Sequence, residues 1–175
     1  MAVFVALTVA DAASGDYEVK TDHPNATDFP GKNLFLKSTR GINTIYSGIM
    51  HEKFKDNSQF QTILDAIDSK RGDVLYLGMG LGLFAKDMSG IVNLQHCVEL
   101  KSDIVTLCGA EFDTIFTADA FTYTPGQNYD TIVIDCHNNA GGNRSAYLAD
   151  LATLQTKYDA YLNAEGQILT FTIPG

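Results

Sequence analysis

Short apolar strands alternate with helical segments over residues 73–173, and this alternation constrains the fold more than any other feature of the sequence. Five runs rich in Val, Ile, Leu and aromatic residues are typical of strands, at 73–78, 94–100, 113–119, 129–136 and 166–173. Apolar residues recur at helical spacing between most of them, at 81–88, 102–110 and 145–162. Strands joined by helical crossovers run parallel in a sheet that helices cover on both faces. The sequence therefore predicts an α/β fold with a mostly parallel sheet of about five strands.

The connection between the first of these strands and its helix is rich in glycine. The stretch VLYLGMGLGLFAKDM (74–88) places Gly78, Gly80 and Gly82 between an apolar strand and an apolar helix. Glycine lets the backbone turn tightly and approach a ligand that a side chain would block. Two interpretations are open: a tight connection that serves only the fold, or a turn against which a ligand lies.

Acidic residues end the next three strands of the predicted sheet. Glu99 ends the second strand, Asp119 the third and Asp135 the fourth. Because the carboxyl ends of parallel strands meet at one edge, these side chains and the glycine connection are expected to lie near each other. A single acid in this position often only caps nearby backbone, whereas the whole set favours a nucleoside-binding site.

The first 56 residues have a different pattern, which predicts a β-rich N-terminal segment over residues 1–56. Strand-like runs at 2–10 and 17–20 flank a turn at 14–16, and a proline-containing loop covers 21–33. Two further runs, NLFLKS and NTIYSG, predict a hairpin around Arg40 and Gly41. A second unit, residues 57–175, begins with a helix in which Ser58 and Gln61 have the spacing of a capping box. Its apolar face is formed by Phe60, Ile63, Leu64 and Ile67.

Charge and composition narrow the classes of partner. The net charge is −9, and residues 102–175 contain only Arg144 and Lys157 as basic residues against nine acidic ones. A protein that binds nucleic acid needs clustered lysine and arginine, so nucleic acid is not expected as a partner. A cationic ligand is easier to accept. No apolar run reaches the length of a membrane span, so no membrane partner is expected either.

The three cysteines and the apolar N-terminal residues bear on the cellular compartment of the protein. Cys97, Cys108 and Cys136 are odd in number and lack the spacing of a metal site, which favours reduced thiols. The start MAVFVALTVADAASG has no basic region before its apolar residues and alternates like a strand rather than a signal peptide. A cytoplasmic protein is therefore expected.

These motifs resemble the Rossmann-like class I methyltransferase superfamily, which binds S-adenosylmethionine. The resemblance covers about residues 73–173 and rests on LYLGMGLG, CVEL, TADAF and YDTIVID. It implies that Gly78, Gly80 and Gly82 underlie the methionine and ribose parts of the cofactor and that Glu99 holds the ribose hydroxyls. It also implies that Asp119 meets the adenine amine, with Ala120 beside it. A nicotinamide cofactor is disfavoured because position 83 is Leu, so the phosphate-binding glycine pattern is absent.

Within that superfamily the sequence looks most like the spermidine synthases, which are aminopropyltransferases. They also place a β-rich domain before the glycine motif and commonly carry an apolar residue where methyltransferases have an acid, here Tyr76. The family's D-x-x-D motif reads Asp135-Cys136-His137-Asn138 in this sequence, so Asn replaces the acid that deprotonates the attacking amine. The Tyr-His pair that the family has before the glycine motif is absent, and Leu81 stands where an acid is usual.

Asp135 and His137 are the candidate catalytic residues. His137 follows Asp135 by two positions and has the chemistry of a general base near neutral pH, although it equally suits an ordinary loop residue. Methyl transfer from a sulfonium asks mainly for in-line placement, so it does not require a strong base. No metal is expected, because the fifth strand ends in TFTIPG without the Asp-Asn pair of magnesium-dependent relatives.

Two functional hypotheses follow. The first is a transferase that uses S-adenosylmethionine, or its decarboxylated form, on a small and perhaps cationic acceptor. The lack of Lys or Arg between Lys101 and Arg144 predicts that the decarboxylated form binds at least as tightly. The second is a non-catalytic protein that kept the methyltransferase fold for binding or assembly. The superfamily continues past strand five where this sequence stops, and an uncovered sheet edge favours a homo-oligomer.

Overall fold

A computed structural model describes residues 10–21, 31–40, 43–51, 56, 58–136 and 144–170 and contains two sheets. Most of the predicted strand at 2–10 and most of the predicted loop at 21–33 lie outside these residues, as does the predicted catalytic His137. No helix in the described part of the chain is long and apolar enough to cross a membrane.

The smaller sheet comes first along the chain and is antiparallel throughout. Its strands are β1 (Ala12–Ser14), β2 (Tyr17–Thr21), β3 (Lys32–Arg40) and β4 (Asn43–His51), paired in that order. The turn at 14–16 is thus confirmed as a chain reversal between paired strands, and β3 and β4 pair antiparallel as the predicted hairpin requires, although Gly41 itself lies outside the described residues.

The larger sheet has five parallel strands in the order β7-β6-β5-β8-β9. Its strands are β5 (Asp73–Leu77), β6 (Leu94–Glu99), β7 (Thr114–Thr117), β8 (Tyr129–Ile134) and β9 (Leu162–Thr170). The helices are α1 (Ser58–Lys70), α2 (Leu83–Met88), α3 (Ser102–Cys108) and α4 (Arg144–Asp159). The predicted α/β class with a five-stranded parallel sheet is confirmed.

Helices cover both faces of this sheet because its strands are apolar on both sides. Along β5, Val74 and Tyr76 belong to one buried cluster, whereas Leu75 and Leu77 belong to another. The first cluster also contains the four predicted apolar residues of α1 and residues of α2 and α3. The second contains residues of α4 and of the segment after β7.

The N-terminal sheet packs against the first of these clusters. Val19 and Leu34 are fully buried together with Ile104 and Cys108 of α3. Ser14 Oγ donates a hydrogen bond to Asp103 Oδ1 at 2.7 Å. The small sheet is therefore joined to the helix that follows β6.

The last helix and strand differ from the prediction. α4 ends at Asp159 rather than at 162, and β9 begins at Leu162 rather than at 166. Leu162 pairs with Tyr129 at the start of β8, and the register then shifts before Gln167 pairs with Thr131. Pairing with β8 thus takes Leu162 out of the helix that its apolar spacing predicted.

The strand order determines where a ligand can bind. The connections from β5 lead to β6 and β7 on one side, and the chain then crosses to β8 and β9 on the other. In an open α/β sheet this reversal leaves a crevice at the carboxyl ends of the two central strands. Here those strands are β5 and β8.

Candidate functional site

The three glycines form the connection between β5 and α2. Their φ angles are 92° at Gly78, 53° at Gly80 and 72° at Gly82, in a backbone region that residues with a side chain rarely adopt. A Cβ atom on Gly78 would lie 2.8 Å from the carbonyl oxygen of Asp135. The glycines therefore serve the tight connection, and Gly78 also allows the ends of β5 and β8 to approach each other.

Glu99, at the end of β6, is attached to this connection. Its side chain is only 8% exposed. Oε2 accepts the Met79 N–H at 3.1 Å, and Oε1 accepts the Lys101 N–H at 2.8 Å. Since an ionised carboxylate has about four acceptor positions, each oxygen can still accept a further bond. The sequence predicted an acceptor for ribose hydroxyls and did not predict the two backbone partners.

Asp119 begins a compact turn after β7. Asp119 Oδ1 accepts the Phe121 N–H at 2.9 Å, and the Asp119 carbonyl accepts the N–H groups of Thr122 at 3.0 Å and Tyr123 at 2.8 Å. The Asp119 residue is exposed, whereas Ala120 beside it is 7% exposed. The exposed carboxylate of Asp119 is therefore an acceptor that a ligand can reach.

Two residues of α4 that sequence reasoning missed hold this turn. Lys157 Nζ donates to the carbonyl oxygens of Ala120 at 3.1 Å and Phe121 at 2.9 Å, and Tyr158 Oη donates to Ala120 at 2.9 Å. The sequence contained only a weak indication of these contacts. Lys157 is one of two basic residues in residues 102–175, and nothing local relates it to position 120.

Asp135 directly follows β8, which ends at Ile134, and its backbone lies beside the glycine connection. Its N–H donates to the Leu77 carbonyl at 2.9 Å. Burial, with a smaller contribution from the negative charge of Glu99, raises the pKa of Asp135 to about 7. The carboxyl group can therefore both give up and take a proton near neutral pH.

The thiol of Cys136 is affected by the charges of all three acids. Burial is the main reason that its thiol has a pKa raised to about 12, and the carboxylates of Asp135, Glu99 and Asp119 contribute further. Negative charges that follow three different strands therefore act on one thiol. With that pKa the sulfur stays protonated at neutral pH, which makes it a poor nucleophile.

A small cavity lies between Asp135 and the glycine connection. Its volume is about 10 Å³, roughly the space of one water molecule. Most of its wall is apolar or aromatic, including Phe60, Tyr76, Phe84 and Phe112. Only a small group fits inside it, so a nucleoside would lie outside, along the edge of the sheet.

Tyr76 contributes to this wall but its hydroxyl is engaged elsewhere. The side chain is 2% exposed, and Oη donates to Gln95 Oε1 at 2.9 Å. Gln95 Nε2 in turn donates to the Ala85 carbonyl at 3.0 Å. Tyr76 is therefore an aromatic wall residue.

Tyr17, in β2 of the N-terminal sheet, packs against the first buried cluster of the larger sheet. Burial raises the pKa of Tyr17, and the negative charges of Glu99, Asp103 and Asp16 add to the effect. The turn before it rests on α3, where a Cβ atom on Gly15 would collide with the Asp103 carboxylate. Nothing in the sequence related this hairpin to the end of β6.

Within the described residues, no group of three or more His, Cys, Asp or Glu side chains is arranged to hold a metal ion. His96, in β6, instead shares a hydrogen bond of 2.9 Å with Tyr129 Oη through Nδ1. Cys97 and Cys108 are buried and form no disulfide.

Comparison with known proteins rests on solved structures alone. No protein-family model matches the sequence, and no curated protein matches it. The N-methyltransferase NodS of Bradyrhizobium japonicum aligns with a TM-score of 0.54 and 11% identity over 67% of each chain. KedS8, a sugar N-methyltransferase of Streptoalloteichus, aligns with a TM-score of 0.53 and 14% identity over 75% of this chain and 57% of its own.

A third structure is CalS10, an amino pentose methyltransferase of Micromonospora echinaspora in its S-adenosylmethionine-bound form. It aligns with a TM-score of 0.51 and 14% identity, covering 71% of this chain and 57% of its own. At such identities the likeness shows the fold alone. All three structures are named as methyltransferases, so the closer resemblance to spermidine synthases stays a prediction. The chain has the fold of class I methyltransferases.

Proposed function

We propose that the protein binds S-adenosylmethionine at the carboxyl edge of its parallel sheet and transfers the methyl group to a small-molecule acceptor. The observation that carries this proposal is geometric: Glu99 accepts the Met79 N–H of the glycine connection, and the backbone of Asp135 lies directly against Gly78. The cofactor supplies an electrophilic methyl group on a sulfonium. A site with three nearby carboxylates suits that positive charge.

Each part of the edge has a role in the proposal. Glu99 accepts the ribose hydroxyls with the lone pairs that its two backbone partners leave over. Asp119 accepts the adenine amine, with Ala120 beneath the base. Leu100, which follows Glu99 and is 51% exposed, offers apolar surface to the base. Gly78, Gly80 and Gly82 underlie the methionine and ribose parts.

Asp135 is the proposed proton acceptor. A small amine acceptor arrives protonated, and it must lose a proton before its lone pair can attack the methyl group. A carboxyl group with a pKa near 7 is suited to take that proton at neutral pH. The proposal extends the role to His137, which lies outside the described residues, as a second base.

Decarboxylated S-adenosylmethionine and a non-catalytic role are the alternatives carried over from the sequence. The three compared structures are all named as methyltransferases, which supports methyl transfer as the first choice. One of them is named as a sugar N-methyltransferase and another as an amino pentose methyltransferase, which supports a small-molecule acceptor. The division at residue 57, the cytoplasmic location and a homo-oligomeric state stay predictions.

Calorimetric titration with S-adenosylmethionine and S-adenosylhomocysteine tests the proposal. We expect binding by the wild type and a weaker affinity in Glu99→Gln. Asp113→Asn is the matched control, because Asp113 Oδ2 also accepts a backbone N–H, that of Gln95 at 2.7 Å, but at the opposite edge of the sheet. No heat of binding at millimolar ligand would overturn the proposal. Transfer of a labelled methyl group to a panel of small amines and amino sugars then identifies the acceptor.

A further inference from the structure

The turn after β7 is held from two sides. Its own backbone closes it, since the Asp119 carbonyl accepts the N–H groups of Thr122 and Tyr123. The carbonyl groups of Ala120 and Phe121 are bonded by side chains of α4, 36 to 38 positions later in the chain. The conformation of the turn therefore depends on a distant helix as well as on local sequence.

The hydrogen bonds from α4 come from a charged donor and from a fully buried hydroxyl. One ammonium group, that of Lys157, bonds two successive carbonyl oxygens, and hydrogen bonds from a charged donor are stronger than neutral ones. Tyr158 is 0% exposed, so its hydroxyl needs a partner inside the protein, and the Ala120 carbonyl supplies one. Lys157 also attracts Asp119 electrostatically.

We propose that Lys157 and Tyr158 are positioning residues that fix the Asp119–Tyr123 turn in the shape that recognises a nucleobase with an exocyclic amine. This inference rests on the proposed function, which places adenine against Asp119 and Ala120. A turn that is already fixed loses little conformational entropy when the base binds. It also keeps the Asp119 carboxylate aimed at the amine, which gives selectivity for adenine over a base that lacks this group.

The test uses Lys157→Met and Tyr158→Phe, which remove donors and keep most of the side-chain volume. Lys70→Met is the matched control, because Lys70 Nζ also donates to a backbone carbonyl, that of Glu165 at 2.8 Å, away from the turn. Affinities for S-adenosylhomocysteine and S-inosylhomocysteine are measured by calorimetry, since the second ligand lacks the exocyclic amine.

We expect Lys157→Met to weaken S-adenosylhomocysteine binding by about tenfold, the worth of one or two hydrogen bonds. Binding of S-inosylhomocysteine should change much less, so that selectivity between the ligands falls. Tyr158→Phe should show the same trend to a smaller extent, and Lys70→Met should keep the wild-type selectivity. Equal weakening of both ligands, or unchanged selectivity, would overturn the positioning role even if thermal stability falls.

Amide hydrogen exchange without ligand separates this inference from the proposed function. If the wild type binds neither ligand, the proposed function fails and the nucleobase assignment fails with it. The exchange rates of the Phe121, Thr122 and Tyr123 amides then decide whether the two side chains hold the turn. Faster exchange in Lys157→Met than in Lys70→Met supports that role, and equal rates overturn it.

Discussion

Glu99→Ala should affect both the stability of the protein and its affinity for a nucleoside, and the two effects can be measured separately. Glu99 is 8% exposed, and its carboxylate accepts the N–H groups of Met79 and Lys101 at 3.1 and 2.8 Å. Removing a buried partner leaves each donor unsatisfied at about 1–3 kcal/mol. Water can enter the space left by the side chain and satisfy part of this loss. We therefore expect the free energy of unfolding to fall by about 2–4 kcal/mol.

The effect on affinity comes from different lone pairs of the same group. Loss of the proposed bonds to the ribose hydroxyls should weaken binding by about 1.5–3 kcal/mol, the range for hydrogen bonds to a charged group. This is roughly a ten- to 150-fold rise in Kd. Loosening of the glycine connection, which Glu99 holds through Met79, acts in the same direction.

Urea unfolding followed by circular dichroism gives the first quantity, and calorimetry with S-adenosylhomocysteine gives the second. Asp113→Asn should lose stability because it disturbs the bond to the Gln95 N–H, yet it should keep its affinity. An unchanged Kd in folded Glu99→Ala would remove Glu99 from the binding site. An unchanged free energy of unfolding would show that the two backbone bonds contribute nothing net to the fold.

Three further predictions concern the same edge. Gly80→Val should abolish nucleoside binding in calorimetry while circular dichroism stays native, and unfolding of the variant would assign the glycine to the turn alone. Because folding raises the pKa of Asp135 from 3.8 to about 7, the folded state holds the proton more tightly, so the contribution of Asp135 to stability should fall as the pH rises from about 4 to about 7. The loss of stability over this pH range is up to about 4 kcal/mol. Urea unfolding of Asp135→Asn at several pH values should show no such slope. A slope that persists in this variant would refute the assignment of the pH dependence to Asp135. Decarboxylated S-adenosylmethionine should bind at least as tightly as the intact form at low salt, and the difference in affinity should narrow with added salt. A clear preference for the intact form in calorimetry would argue against aminopropyl transfer.

Local patterns were sufficient for the class of fold and for the edge of the sheet along which the three strand-end acids lie. The apolar spacing of α1 predicted its four buried residues, and the β-branched runs predicted all five parallel strands. Periodicity of this kind is a property of neighbouring residues, so it can be read without knowing the rest of the chain. The strand-end acids Glu99, Asp119 and Asp135 follow from the same logic, because parallel strands end at one edge.

The resemblance to the class I methyltransferases is confirmed only at the level of the fold. It correctly predicted the methyltransferase fold, with which three solved structures agree at 11–14% identity. The finer likeness to spermidine synthases and the roles of the site residues stay predictions. Site chemistry depends on a few side chains, whereas a fold tolerates replacement of most of them.

What the sequence by itself determined is the sheet, its glycine connection and the edge at which three acids meet. Only the tertiary structure decided what those acids contact: the backbone of Met79 and Lys101 for Glu99, and a half-buried, desolvated position for Asp135 that raises its pKa. It alone placed Lys157 against the turn at Ala120. Such contacts join segments that are distant along the chain, and they exist only because the strand order and the packing of α4 bring those segments together. Hydrogen bonding and burial at the site are therefore properties of the assembled fold, which no local pattern encodes.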